Sequence, residues 1–262
     1  MTGTRKREPI VARRDKAAGA NRCSRRAVLI MLALALGLRL ITCLLYPLIQ
    51  KSTELSLGSD GYELVAEMMV LGHGYRLAPE LSETMFLPPT YPLFLTLLFL
   101  VTGPHVWASQ IAQSLLDTAT CFMVYKLGGR SANPRVGFWA GIVYALYPGA
   151  WIGCSRYVTE PLFTLLIVLF LYGFTEYVRR RHWFALLSAG VACGLAVLCK
   201  SVAGLLPVFL LICVAILPAF RAMRKRVVGG LLVCLLVSGV FVAPWVYRNY
   251  RLSGSPVYPS TS

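Results

Sequence analysis

Long apolar runs alternate along the chain with short polar clusters. Runs long enough to cross a bilayer fall at roughly 27–49, 106–127, 136–153, 158–178, 184–200, 202–220 and 227–246, because about 20 apolar residues in a helix match the hydrocarbon thickness. One further run, 91–103 (YPLFLTLLFLVTG), is shorter. Pro88, Pro89 and Pro92 lead it and Gly103 and Pro104 close it. Apolar stretches of about 10–14 residues lie along an interface or re-enter more often than they span.

Charge decides whether 91–103 counts. Nine basic residues lie in the first 26 positions. Ten more fall in three clusters: Lys126, Arg130 and Arg135; Arg179, Arg180 and Arg181; Arg221, Arg224, Lys225 and Arg226. With seven spans, all three clusters share the cytoplasmic side with the N-terminal one, as basic loops do. Counting 91–103 as an eighth span would move all ten loop charges outside. Seven spans is therefore the expectation, with a cytoplasmic N-terminus, an extracytoplasmic C-terminus and a large external loop at 50–105. Residues 1–26 read as a disordered basic tail, and 259–262 as a short external tail. The first run is too long for a signal-peptide core and lacks a small-residue cleavage site, so it reads as an uncleaved anchor in the plasma (inner) membrane.

Composition agrees. The 262 residues are 57% hydrophobic and only 14% charged, against about a quarter charged in soluble domains. The net charge of +15 could attract nucleic acid, but its concentration at loop positions assigns it to membrane orientation instead. The expected fold class is an all-α polytopic membrane protein. Five cysteines (Cys43, Cys121, Cys193, Cys213, Cys234) lie in apolar runs, where the thiol acts as a small hydrophobe. Cys154 and Cys199 fall near outer helix ends and read as unpaired thiols.

Within the external loop, Asp60 to Leu71 reads as a surface helix, capped by Ser59 and stopped by Gly72 and Gly74. Asp60, Glu63 and Glu67 would share one face while Met68 to Leu71 touch lipid. Arg39 and Asp117 fall near mid-membrane, where each charge alone is costly, so mutual pairing in a structural salt bridge is expected.

The stretches GSDGYELVAEMMVLGHGY (58–75) and FLPPTYPLFLTLLF (86–99) resemble the first external loop of C-type glycosyltransferases, the group of the dolichyl-phosphate-mannose protein mannosyltransferases and aminoarabinose transferases. QSLLDTATCFMVYKLGGR (113–130), ALYPGAWIGCSRYVTEPLF (145–163), GLAVLCKS (194–201) and APWVYRNYRLSGSPV (243–257) follow in family order. The resemblance covers about 27–258. It implies a seven-helix module with juxtamembrane helices in the first external loop. It also implies transfer of a sugar from a polyprenyl-phosphate donor to a lipid, glycan or protein acceptor on the extracytoplasmic face. Family members continue beyond the point matching residue 258. The chain is therefore expected to be a fragment, to be completed by a second polypeptide, or to be a catalytically silent membrane subunit. A lipid-linked-sugar transporter would show internal repeats, which the sequence lacks.

The resemblance places a catalytic carboxylate at Asp60, a second acid at Glu160 and a basic residue at Lys200. Asp60 would take a proton from the acceptor hydroxyl, or hold with Glu160 a divalent metal that does so. Lys200 and Arg248 would hold the phosphate. Tyr62, Gln113 and Asn249 complete the candidate substrate-binding set. The four charged candidates have plainer alternatives. Asp60 suits a helix N-terminus, Glu160 could pair with Arg156, and Lys200 could snorkel to headgroups. Arg248 could anchor the boundary beside Trp245, Tyr247 and Tyr250.

Overall fold

The computed structural model describes residues 24–53, 60–216, 221 and 223–254. The basic tail before residue 24, the residues after 254 and the Ser59 cap lie outside them. Among the described residues the secondary structure is helical throughout: α1 Arg25–Thr53, α2 Tyr62–Val70, α3 Thr90–Thr102, α4 Val106–Ser131, α5 Pro134–Ala145, α6 Pro148–Cys154, α7 Glu160–Arg180, α8 Trp183–Val197, α9 Leu205–Ile216 and α10 Arg224–Ser253.

Local sequence sets the breaks. Asn133 caps α5, its side chain accepting from the Arg135 and Val136 amides at 3.1 and 3.0 Å, and Pro134 follows in the first turn. Pro148 forces Tyr147 into an extended conformation, so α5 and α6 form one path bent by 54°. The 136–153 run is thus a broken leg. Likewise a 3-10 turn at Ser201–Gly204 precedes α9. The surface helix begins at Tyr62 rather than at Asp60. Gly61, at φ 83°, occupies the left-handed region just before it, a conformation that glycine adopts freely and that ends helical geometry. Asp60 therefore precedes the helix and does not share the face of Glu63 and Glu67.

Side-chain contacts give the direction of each leg. Arg39 meets Asp117 and Cys43 meets Ser114, so α1 and α4 are antiparallel. Gly137 packs on Gly129 while Gly141 packs on Tyr125, which makes α4 and α5 antiparallel. A Cβ at Gly137 would collide with the α4 backbone at Tyr125 and Gly129, the close approach that small residues permit between membrane helices. Tyr177 stacks near Trp183 and Gly173 meets Ala185, turning α8 back along α7. Gly190 touches Val237 and Gly194 touches Ser238, so α8 and α10 are parallel. Arg224 donates to the Ala215 carbonyl at 2.9 Å, which fixes α9 as the return leg between them.

Among the described residues seven helical legs run between two ends, with α5 and α6 forming one of them. The basic end holds Arg25, Arg130, Arg135, Arg179 to Arg181 and Arg224 to Arg226; the other end holds the 60–105 segment. Among the described residues α1, α7 and α10 are each long and apolar enough to cross a membrane, and the bent α5–α6 pair makes a fourth. α4 has the length, 26 residues, but carries Gln110, Gln113, Asp117, Lys126 and Arg130. α8 and α9 have 15 and 12 residues. α3, with 13 residues, is about 20 Å long, shorter than the hydrocarbon core.

The largest core joins Tyr62, Tyr91, Phe99, Phe170, Leu186 and Leu231 from five helices. Outside it, Leu29, Ile30, Leu44, Leu232, Leu236 and Val240 are all more than half exposed. An apolar exterior of this extent is costly in water and suits lipid. The chain is an all-α membrane protein.

Candidate active site

The candidate residues gather at the end opposite the basic clusters. Glu160 opens α7, where the helix dipole favours an acid. Lys200 follows the last turn of α8. Because α7 and α8 are antiparallel, these positions, 40 residues apart, become neighbours: Lys200 Nζ donates to Glu160 Oε1 at 2.7 Å. Glu160 is thus paired with Lys200, not with Arg156 as the plainer sequence reading had it. The ammonium also lies 5.9 Å from the Phe163 ring centroid. Both side chains are substantially exposed, so the pair adds little stability and stays open to exchange partners.

The 60–105 segment is fastened beside this pair. Thr90 donates its amide to the Leu198 carbonyl at 3.1 Å and its hydroxyl to the Leu195 carbonyl at 3.0 Å. The start of α3 is therefore tied to the turn that carries Lys200. Tyr62 sets its ring edge-on to Tyr91, centroids 5.2 Å apart, which joins α2 to α3. Asp60 is exposed, two residues before Tyr62. Tyr157, between α6 and α7, faces the same region. Burial pushes its phenol above the ordinary value, and the Glu63 and Glu67 carboxylates add to the rise.

Gln113 is fully buried and occupied by protein. Its Oε1 accepts from the Tyr91 hydroxyl at 2.7 Å, and its Nε2 donates to the Cys154 and Arg156 carbonyls at 3.2 and 2.8 Å. It braces α3 and the turn before Glu160 against α4. Replacing Gln113 with Leu strands the Tyr91 hydroxyl in a dry site, a loss of about 2–3 kcal/mol. Chemical denaturation in detergent micelles checks this; an unchanged midpoint would remove the brace from the account.

Arg248 lies at the same end, because α10 runs parallel to α8, but it serves the 75–84 loop. Its Nη2 donates to Glu83 Oε2 at 2.7 Å and its Nη1 to the Thr84 carbonyl at 3.2 Å. The guanidinium sits over the rings of Trp245 and Tyr75, at 4.7 and 5.1 Å. The neighbouring Asn249 is buried and accepts from Arg248 Nη1 at 3.1 Å. Arg248→Ala should loosen residues 75–84 by about 1–2 kcal/mol, since a cation–π site and charge-assisted bonds vanish together. Amide exchange in that segment should then quicken roughly 5- to 30-fold, with the other helices unaffected.

Farther down, Arg39 Nε donates to Asp117 Oδ2 and Tyr144 donates its hydroxyl to Asp117 Oδ1. Arg39 Nη1 donates to the Ala35 carbonyl at 2.7 Å. Both charged side chains are essentially unexposed. A groove of about 280 Å³ descends from Glu160 past Gly153 and Tyr147 to Asp117 and Tyr144.

Among the described residues no group of three or more His, Cys, Asp or Glu side chains is gathered, and Glu160 already holds an ammonium. The described cysteines are free: Cys154 turns its thiol to the Gln113 and Ala150 carbonyls and Cys199 to that of Thr159. Sequence reasoning missed Tyr91, Tyr144 and Glu83 as partners. The two tyrosines read as parts of apolar runs, and Glu83 as one of several loop acids.

The fold defines a class, the polytopic helical membrane proteins, with an acid–ammonium pair and a tethered acidic loop at one end. The comparisons make it specific. The family model for dolichyl-phosphate-mannose-protein mannosyltransferase matches residues 87–247, and the chain belongs to that family, within the C-type membrane glycosyltransferases. No curated protein and no solved structure matches the chain.

Proposed function

We propose that this chain transfers a sugar from a polyprenyl-phosphate donor to an acceptor hydroxyl at the extracytoplasmic face of the inner membrane. The observation that carries the reading is the Lys200–Glu160 pair beside the Asp60 segment, at the end away from the basic clusters. The positive-inside rule supports a cytoplasmic basic end, which sets the candidate site, and the C-terminus of α10, on the outer side.

In this reading Asp60 takes the acceptor proton as the hydroxyl oxygen bonds to the anomeric carbon. The bond from that carbon to the phosphate oxygen breaks, and its electron pair leaves with polyprenyl phosphate. The departing phosphate gains negative charge and draws Lys200 away from Glu160 as a mobile point charge. Arg248, already at the same end, is the second cation within the proposal. Tyr62 and Asn249, both largely buried, support the substrate side through Tyr91 and Arg248, and Gln113 holds the turn in place.

Proteoliposomes carrying the chain should transfer labelled sugar from a synthetic polyprenyl-phosphate sugar to an impermeant acceptor on the side of residue 60. Transfer from a nucleotide sugar instead, or to the opposite side, would reject the proposal.

A further inference from the structure

The basic end holds a cavity that the proposed transfer does not use. It measures about 340 Å³ and lies between α4, α5 and α7, lined by Tyr125, Lys126, Arg130, Tyr172, Glu176 and Arg180 among others. Its one carboxylate is already taken. Arg130 grips both Glu176 oxygens, Nη2 to Oε2 at 2.7 Å, and Arg180 Nε stands 3.8 Å from the same side chain. Three cations against one acid leave the cavity with a surplus of two positive charges. Lys126, exposed, rests 5.8 Å from the Phe122 ring and makes no ion pair among the described residues.

An apolar groove of about 410 Å³ runs between α7 and α8, lined by Leu166, Leu169, Val191 and Leu195. Tyr172 lines both spaces. From Glu176 up to Leu166 is ten residues of α7, about 15 Å, half of a hydrocarbon core about 30 Å thick. A cationic chamber thus opens beside an apolar furrow as deep as one leaflet.

We propose that this pair of spaces is a binding site for an anionic glycerophospholipid. Its phosphodiester sits among Lys126, Arg130 and Arg180, and one acyl chain lies along the α7–α8 furrow. Basic pockets between membrane helices recognise anionic headgroups in this manner, and the furrow selects a lipid over a free phosphate.

The full chain, purified in detergent, is titrated with phosphatidylglycerol, phosphatidylcholine and water-soluble glycerol phosphate, and bound lipid is counted by native mass spectrometry. Phosphatidylglycerol should bind saturably and in preference to phosphatidylcholine. The double variant Lys126→Ala/Arg180→Ala should weaken it about 30-fold, at roughly 1 kcal/mol per basic residue, while Lys225→Ala, on the same end but outside the cavity, should leave it unchanged. Leu169→Trp, which fills the furrow and spares every charge, should also weaken it. Three results would overturn the proposal: equal retention of both lipids, an equal loss in Lys225→Ala, or glycerol phosphate binding as tightly as the lipid. Thermal melting of each variant verifies that the fold is intact.

Discussion

Asp117→Leu should destabilise the protein by about 3–5 kcal/mol, the cost of leaving a buried charge without its partner. Arg39 then remains inside the bundle with its guanidinium facing the emptied carboxylate position. Arg39→Leu should cost a similar amount, because Asp117 would keep only the Tyr144 hydroxyl. The double variant should recover most of the loss, to within about 1–3 kcal/mol of the parent, the remainder being the unpartnered Tyr144 hydroxyl. A double-mutant cycle from denaturation in micelles isolates the coupling. Single variants costing under about 1 kcal/mol, or an additive double, would contradict the ion pair.

The second large effect concerns chemistry rather than stability. Asp60→Asn should lower transfer from a polyprenyl-phosphate sugar by roughly 10²- to 10⁴-fold, the usual contribution of a positioned general base. Asp60 is exposed and precedes α2, so the melting temperature should not move. Donor binding should also persist, since the amide keeps the shape of the carboxylate. Transfer within about threefold of the parent would remove Asp60 from the mechanism and leave the Lys200–Glu160 pair to be tested alone.

Much of the architecture is legible in the sequence, because lipid imposes simple rules. Basic clusters at alternating loops give the direction of each leg, and the contacts along α4, α7, α8 and α10 run in those directions. The prolines before 91–103 mark a short helix, and Thr90–Thr102 is one. The meeting of Arg39 with Asp117 is legible too, since neither charge is affordable alone at that depth. Other features depend on information that periodicity does not carry. A single left-handed glycine moves the start of α2 past Asp60, and Pro148 turns one expected span into a bent pair. Glu160 and Lys200 meet only because two antiparallel helices end at the same level. Tyr91 and Tyr144 contribute hydroxyls from within apolar runs, where a sequence reading counts only their rings.

The twofold tether of Thr90 to the carbonyls of Leu198 and Leu195 makes the outer hairpin a lever. A single residue, Cys199, separates Leu198 from Lys200. A tilt of α2 and α3 would tug the turn that carries the lysine and part it from Glu160. In the proposed transfer, contact of the acceptor with this hairpin would thereby unlatch the charge meant for the donor phosphate.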